Sequence, residues 1–263
     1  MSKICICFYG LAQRSLKYTI DSIETNIFKV LKDNNIEYDI YLHTYDASYC
    51  YAPRNNEQHI PVDCDDYKLL NPKSHIIESY DKADNLFNYK QYHDIFNNNH
   101  NSILNWIREM YSIQQVTTLW SSNIDEYKLY LYLRPDLMYV TPLPINYLRY
   151  KFNKHINKSI LFTTPWGKST GLNDFVGIGN YNAMIKWANR IDSFDEYMRK
   201  ICYNAEKHIL FVCDKEGIIN IDLPMLFNRI RSTKTRVNES WGDADINFCN
   251  KVGCNINPKY LHV

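Results

Sequence analysis

A nearly continuous apolar run that stops at a charged corner is the most regular feature of the chain. Residues Leu129 to Leu133 are all aliphatic or aromatic, as expected of a strand buried on both faces of a mainly parallel sheet. Pro135 cannot donate to a sheet and biases Arg134 towards an extended conformation, so regular pairing should stop there. Asp136 then follows. A charged pair at the end of a central strand lies where open α/β sheets bind ligands, although a buried Arg–Asp ion pair explains the same pattern.

The beginning of the chain predicts a strand, a helix and a second strand. Ile4 to Tyr9 forms the first strand, which Gly10 ends, and Tyr38 to His43 forms the second, which ends near Asp46. Between them apolar residues recur at helical spacing, and Ser15 is placed to cap that helix. Because strands joined in this way run parallel, we expect the Gly10 loop and Asp46 to lie at the same sheet edge as the charged corner.

The rest of the chain predicts further alternation of helices and strands. Residues 50–101 are polar and aromatic with weak periodicity, which indicates an irregular insertion. The other predicted elements are a short strand at His75–Glu78, helices at Ile103–Trp120, Tyr181–Arg190 and Asn204–Cys213, a capping box at Ser193–Glu196, and strands at Ser159–Thr163 and Ile218–Ile221. Strands that alternate with helices predict an α/β fold with a mainly parallel central sheet flanked by helices.

Length and charge exclude several classes of protein. The chain has 263 residues and a formal net charge of +1, so it is long enough for one large α/β domain and shows no basic stripe for nucleic acid. No apolar run approaches the length of a membrane span, and the first residues do not form a signal peptide. Eight scattered cysteines without a CxxC pair indicate reduced thiols and a cytoplasmic protein.

Several polar groups are candidates for binding or catalysis. Arg14 precedes a predicted helix, where it can add a forked donor for an anion or remain a solvated side chain. Asp174 is followed closely by Gly177 and Gly179, which would let the backbone approach a ligand. A basic run near the C-terminus indicates either a solvated face or a pyrophosphate contact; it contains Arg229, Arg231, Lys234 and Arg236. The G-x-G-x-x-G and G-x-x-x-x-G-K-[ST] motifs are absent.

An ordered set of short motifs covers most of the chain. It comprises residues 4–14, 38–46, 132–137 and 173–184, then Glu206 and a late arginine. In this order the motifs resemble those of the small nucleotide-sugar glycosyltransferases with a GT-A-type fold, found in giant DNA viruses and in some bacterial surface-polysaccharide clusters. The abundance of Tyr, Asn, Ile and Lys, which A/T-rich codons serve, also suits a giant virus.

The resemblance implies an organisation and a set of contacts to the donor. It implies one GT-A-like domain over residues 1–263, with a nucleotide-binding half at 1–140 and an acceptor half at 141–263. The nucleotide would be held by Gly10, Arg14 and Asp46. The family's metal-binding D-x-D motif matches Arg134-Pro135-Asp136, with an arginine in place of the first acid.

The departure at Arg134 leaves two interpretations of the corner. Asp136 with diphosphate oxygens and water could hold Mn²⁺ or Mg²⁺; alternatively Arg134 itself neutralises the diphosphate and no metal is needed. Asp243 and Asp245 keep the D-x-D spacing near the C-terminus and are the second candidate for the metal motif.

The implied reaction needs a carboxylate near the acceptor hydroxyl. Asp174 is the first candidate and Glu206 the second; a turn-forming residue and a first-turn acid that suits the helix dipole are the respective alternatives. The implied activity is transfer of a sugar from a UDP- or GDP-type donor to a glycan, glycoprotein or other hydroxyl acceptor. A non-catalytic glycan- or nucleotide-binding module that kept the fold is the alternative function.

Overall fold

The structure is a computed structural model that describes residues 3–122 and 126–261, so the predicted domain limits at residues 1 and 263 lie outside the described residues. The strands are β1 (Lys3–Phe8), β2 (Glu37–Tyr45), β3 (Tyr49–Ala52), β4 (Glu57–Pro61), β5 (Ser74–Glu78), β6 (Leu129–Leu133), β7 (Leu137–Tyr139), β8 (Ile160–Thr163), β9 (Val176–Gly179), β10 (Ile219–Asp222), β11 (Phe227–Ile230) and β12 (Arg236–Val237). The helices are α1 (Leu16–Ile23), α2 (Lys29–Asp33), α3 (Asp81–Asp84), α4 (Asn101–Thr118), α5 (Ile145–Lys154), α6 (Tyr181–Ala188), α7 (Phe194–Lys200), α8 (Ala205–Glu216) and α9 (Asp243–Lys251).

A seven-stranded sheet forms the centre, in the order β10-β8-β9-β6-β1-β2-β5. The pairs β1–β2, β1–β6, β2–β5 and β8–β10 are parallel, and β9 is antiparallel to both of its neighbours. The α/β fold with a mainly parallel sheet is therefore confirmed. The reversal at β9 was not predicted, because its four residues carry no signal of direction.

Strand β6 is buried along its whole length, as the apolar run predicted. Its leucines contribute to one hydrophobic cluster, while Tyr130 and Tyr132 contribute to another. Since alternate side chains of a strand point to opposite faces, the two clusters fill the two sides of the sheet. The charged corner that follows is thus attached to the most buried strand.

The two glycines of β9 serve packing. A Cβ atom at Gly177 would lie 3.0 Å from the Trp187 ring, and one at Gly179 would lie 2.4 Å from the carbonyl oxygen of Ile160. The expectation that these glycines open space for a ligand is therefore wrong. They allow α6 and β8 to approach the strand that begins just after Asp174.

Two capping predictions were wrong although the helices themselves were right. Ser15 stands at the N-cap of α1, but its hydroxyl has no hydrogen-bond partner among the described residues. The hydroxyl of Ser193 donates to the carbonyl of Arg190 at 2.8 Å and bonds His208 Nε2 at 2.8 Å, so it does not cap α7. A π-helical segment, Glu24–Phe28, joins α1 to α2.

The region predicted as an irregular insertion is more ordered than expected. Strands β3 and β4 form an antiparallel hairpin, and β5 extends the central sheet parallel to β2, which confirms the short strand at His75–Glu78. Alternation between exposed and half-buried residues in β5 explains its weak signal in the sequence. The hairpin reaches the charged corner, as described below.

A small sheet brings the C-terminal basic run to the same corner. Strand β11 pairs antiparallel with β7, with Arg229 opposite Leu137. The amide of Ile230 donates to the carbonyl of Asp136 at 2.8 Å, and the hydroxyl of Thr19 donates to the carbonyl of Pro135 at 2.6 Å. These backbone contacts fix the corner from two sides.

The cysteines are all free thiols, and the Sγ atoms of Cys5 and Cys7 lie 3.6 Å apart within β1. Across residues 3–122 and 126–261, none of the helices combines the length and the apolar character that crossing a bilayer requires.

Candidate active site

The loop after β1 is fastened to the ends of its neighbours. Gly10 adopts a φ of +92°, a conformation that favours glycine, and its amide donates to Ser112 Oγ at 2.7 Å. Gln13 Nε2 donates to the carbonyl of Tyr45 at 2.9 Å. This loop carries Arg14 to the corner after β6. Asp46 is exposed just beyond β2, with its amide bonded to the carbonyl of Glu78 at 2.9 Å.

A buried chain of polar groups supports that loop. His43 bonds Ser112 Oγ at 2.7 Å through Nδ1 and Glu78 Oε1 at 3.1 Å through Nε2. The residue types suggest a nucleophilic triad, but Ser112 is fully buried and its Oγ already accepts the Gly10 amide. Burial lowers the pKa of His43 to about 4, against the opposing effect of Glu78. The neutral imidazole therefore positions the loop and has no access to a substrate.

Arg134 and Asp136 form a two-point ion pair across Pro135. The Nε–Oδ1 distance is 2.9 Å and the Nη2–Oδ2 distance is 2.8 Å. Arg14 Nη1 adds a third contact to Oδ2 at 3.4 Å. Burial acts to raise the pKa of Asp136, but the charges and hydrogen bonds of both arginines outweigh it and hold that pKa well below its usual range. The corner is thus an ion pair and also part of a larger polar cluster.

These contacts bear on the expected metal site. A divalent cation would need the oxygens of Asp136 that now accept from guanidinium groups, and like charge would oppose its approach. The second candidate motif caps a helix instead: Asp245 Oδ2 accepts from the amide of Gly242 at 3.0 Å at the start of α9, and Asp243 is exposed. The described part of the chain offers no cluster of three or more His, Cys, Asp or Glu side chains suited to a metal. The residues at the corner, as arranged, do not fit a divalent cation.

Glu57, at the start of β4, ties the hairpin to this cluster. Its side chain is fully buried. It accepts from both Nε (3.0 Å) and Nη2 of Arg14, and from the amide (2.7 Å) and hydroxyl (2.8 Å) of Ser232. Burial acts to raise the pKa of Glu57, but these bonds outweigh it and lower that pKa. This role could not be predicted from the sequence, because Glu57 lies in a segment without clear periodicity.

Arg229 and Arg231, two arginines of the basic run, face the cluster. Arg229 pairs with Glu239, with an Nε–Oε1 distance of 2.6 Å, and its guanidinium lies 4.5 Å from the centre of the Phe175 ring. Arg231 is 9% exposed and donates to Asn55 Oδ1 at 3.0 Å. Burial and the like charges of Arg14 and Arg229 lower the pKa of Arg231 to about 10. The solvated-face interpretation therefore fails for these two residues.

Three carboxyl groups with raised pKa values border the arginines. Glu109 on α4 lies with Oε2 3.5 Å from Arg134 Nη1, and its Oε1 has no hydrogen-bond partner among the described residues. Desolvation raises the pKa of Glu109 to about 7, against the charge of Arg134 and with the charge of Asp174. Sequence analysis missed Glu109. An acid flanked by the buried Trp106, Met110 and Ile113 of α4 was the signal that could have found it.

Asp174 and Glu206 are the other two carboxyl groups whose pKa values are raised. The hydroxyl of Tyr9 donates to the carbonyls of Asp174 (3.2 Å) and Phe175 (3.0 Å), which fixes Asp174 beside the end of β1. Burial raises the pKa of Asp174 against the charges of Arg134 and Arg190, and one of its oxygens, Oδ1, has no partner within the described ranges.

Glu206 is held by a close backbone contact in the first turn of α8. A Cβ atom at Gly171 would lie 2.1 Å from the carbonyl group of Glu206, and the amide of Leu172 donates to that carbonyl at 3.0 Å. Burial raises the pKa of Glu206, and the charge of Asp174 adds to the effect. Asp174 therefore lies close enough to influence both Glu109 and Glu206.

The fold thus brings together most of the residues proposed from the sequence. Arg14, Arg134 and Asp136 are joined by hydrogen bonds at the carboxyl edge of the parallel strands, and the charges of Arg134 and Arg229 act on Asp174 and that of Arg229 on Glu206. Gly10 shapes the loop behind it and Asp46 lies exposed at the same edge. An anion can be bound by the guanidinium groups, and a proton can be taken up by the neighbouring carboxyl groups.

Comparison with known proteins gives structural likenesses alone. No family model matches the sequence, and no curated protein sequence matches it. A glycosyltransferase involved in the glycosylation of the major capsid of PBCV-1 is similar in structure over 83% of this chain and 82% of that one, with 12% identity and a TM-score of 0.40.

Two further solved structures are similar to the chain. Mouse xyloside xylosyltransferase 1 shares 13% identity over 85% of each chain, with a TM-score of 0.42. The 4-diphosphocytidyl-2C-methyl-D-erythritol synthase of Anaerococcus prevotii shares 8% identity over 95% of each chain, with a TM-score of 0.39. None of these likenesses carries the functional argument, which rests on the site itself.

Proposed function

We propose that this chain transfers a sugar from a nucleotide-diphosphate sugar to a hydroxyl group of an acceptor. The observation that carries the proposal is the meeting of two kinds of group at one sheet edge. Arg134, which is paired with Asp136 beside Arg14, lies 3.5 Å from Glu109 and its charge acts on Asp174, while the charge of Arg229 acts on Glu206; the pKa values of these three carboxyl groups are all raised. Glycosyl transfer needs a cationic site for the leaving diphosphate and a carboxylate for the acceptor proton.

The bond changes assign a role to each kind of group. The acceptor oxygen bonds to the anomeric carbon while the bond from that carbon to the diphosphate oxygen breaks. The bonding electrons leave with the diphosphate, whose growing negative charge the arginines stabilise. The acceptor hydroxyl gives its proton to a carboxylate, with Asp174 as first candidate and Glu206 as second.

The two halves of the chain divide this task in our proposal. Residues 1–140 supply Gly10, Arg14 and Asp46 for a UDP- or GDP-type nucleotide. Residues 141–263 face a glycan or glycoprotein acceptor. Mn²⁺ or Mg²⁺ is the cofactor that the resemblance implies, but at Asp136 it would meet two arginines, so no step is assigned to it.

A binding module that kept the fold remains the competing function, and it would use the same arginines. Glu109 Oε1 and Asp174 Oδ1, which have no hydrogen-bond partner among the described residues, support an enzyme, because a desolvated carboxyl group with a raised pKa is suited to take up a proton.

The test is a thermal-shift screen of UDP, GDP, TDP and CMP sugars, followed by measurement of released sugar. A ligand stabilises the state it binds, so one nucleotide class should raise the melting temperature, and that donor should be slowly hydrolysed. The free sugar without a nucleotide is the control. Stabilisation without hydrolysis or transfer would support a binding module, and no stabilisation by any nucleotide sugar would contradict the proposal.

A further inference from the structure

Four arginine side chains crowd together at the corner, and three of them have carboxylate partners. Arg14 pairs with Glu57, Arg134 with Asp136, and Arg229 with Glu239. Arg231 is the exception. Among the described residues, the side chain to which its guanidinium donates is that of Asn55, whose amide oxygen is neutral and lies at 3.0 Å. Its positive charge is therefore not neutralised by direct contact.

The surroundings of Arg231 increase its capacity for an anion. Its side chain is largely buried, and the like charges of Arg14 and Arg229 act on it more strongly than the opposite charges of Asp136 and Glu57. A buried cation that is crowded by other cations gains more from an incoming anion than one in water. A guanidinium also presents a planar fork that matches two phosphate oxygens.

The same corner contains the carboxylate that would otherwise hold a metal. Both oxygens of Asp136 accept from Arg134, and one of them also accepts from Arg14. Guanidinium groups thus occupy the space beside Asp136 where a divalent cation would coordinate. The groups available to a diphosphate at this edge are arginines.

We propose that the diphosphate of the donor is bound by these arginines without a divalent cation, and that Arg231 makes the principal contact. The inference rests on the proposed glycosyl transfer for the identity of the ligand, whereas the anion site itself rests on the contacts above. The incoming phosphate replaces Asn55 Oδ1 as the acceptor of the hydrogen bond from Arg231. Arg134 remains paired with Asp136 and adds positive potential without leaving its partner.

The test uses inorganic pyrophosphate as the probe, titrated by calorimetry into the intact chain with excess EDTA and then with Mn²⁺. The affinity in EDTA should be no weaker than in Mn²⁺, because Mn²⁺ binds free pyrophosphate and lowers the concentration of the metal-free anion. Arg231→Met should weaken it about 10- to 100-fold, as expected for loss of a charged hydrogen bond. Arg231→Lys should give an intermediate loss, because an ammonium keeps the charge without the fork.

Two further variants separate binding from folding. Arg199→Met removes an exposed arginine on α7 and should leave pyrophosphate binding unchanged. Asn55→Ala removes the amide that holds Arg231 and should leave binding equal or tighter. Melting curves of each variant identify any loss that arises from unfolding.

Several outcomes would overturn the inference. Binding that appears only with Mn²⁺ and disappears with EDTA would show that a cation is required. Full affinity in a folded Arg231→Met variant would remove Arg231 from the site. Pyrophosphate binding in EDTA, with neither hydrolysis of nor transfer from any nucleotide sugar, would support the anion site and contradict the proposed glycosyl transfer, so the two failures are distinguishable.

Discussion

Glu57 and Ser232 are joined by two hydrogen bonds although they lie 175 residues apart in the sequence. Oε1 of Glu57 accepts from the backbone amide of Ser232 at 2.7 Å and from its hydroxyl at 2.8 Å. Together with the bonds from Arg14, these contacts satisfy a carboxylate that has no exposed surface. They hold the β3–β4 hairpin against the C-terminal segment that carries Arg229 and Arg231.

Removing the Glu57 carboxylate should destabilise the fold. Glu57→Ala leaves Arg14 and the Ser232 amide buried without their partner, a change that costs about 3–5 kcal/mol of unfolding free energy. Urea denaturation measures it. Glu196→Ala is the control: its ion pairs with Lys200 and Lys215 lie on the surface, where solvent screens them, so the loss of unfolding free energy should be small. Similar losses in both variants would contradict the structural role of Glu57.

Neutralising Glu109 should stabilise the protein above neutral pH. The pKa of Glu109 is raised to about 7 in the folded state from 4.5, so the folded state binds the proton more tightly. Stability is therefore lost as the pH rises from about 4.5 to 7. By linkage, Glu109→Gln should raise the unfolding free energy by up to about 3 kcal/mol at pH 8 and by little at pH 4.5.

Denaturation at the two pH values measures this difference. The exposed Glu37 provides a control, since Glu37→Gln should show the same small effect at both. If Glu109→Gln raised the unfolding free energy equally at both pH values, the charged form of Glu109 would not be what destabilises the folded state.

Asp174→Asn should reduce the rate and leave nucleotide binding intact. An amide cannot accept the acceptor proton, and loss of a general base lowers rates by about 10²–10⁴-fold. Turnover of a donor and acceptor pair, together with calorimetric titration of the nucleotide, separates the two effects. Asp214→Asn, an exposed change on α8, should alter neither. Parallel losses of rate and affinity in Asp174→Asn would assign the residue to binding or folding.

Acid should weaken the fold through His43. Its pKa is lowered to about 4 in the folded state from 6.5, so between these values the unfolded state binds more protons. Stability is therefore lost as the pH falls from 6.5 towards 4, by about 1.4 kcal/mol per pH unit. His43→Gln should remove this contribution to the slope of unfolding free energy against pH. The exposed His93 supplies the control, because His93→Gln should keep the original slope.

The elements around β6 could be predicted because their sequences carry strong local patterns. A strand that is apolar on both faces and an amphipathic α4 leave little ambiguity, and a proline at the corner marks where pairing stops. The same patterns placed Arg14, Arg134 and Asp136 at one edge. The parallel orientation of β1 and β2 then followed from the helical connection between them.

The remaining features depend on partners that are distant in the sequence. Glu57 has no local pattern, and its partners, Arg14 and Ser232, come from the two ends of the chain. Serine is a residue type that favours the N-cap of a helix, but the hydroxyl of Ser193 bonds the carbonyl of Arg190 and the side chain of His208 instead. A glycine at position 177 is compatible with a nearby ligand and also with an aromatic ring packed against the backbone. Only the structure, which places the Trp187 ring there, shows that the second interpretation is right.

The bond between Glu57 and Ser232 also has a consequence during protein synthesis. Ser232 is added to the growing chain 175 residues after Glu57, so the contact between Arg14 and Glu57 is completed only after that whole stretch has been made. Contacts of such long range form slowly. A nascent or C-terminally shortened chain would therefore carry the β1-α1-β2 unit, but its arginine cluster would stay incomplete until the segment with Arg229, Arg231 and Ser232 has been added.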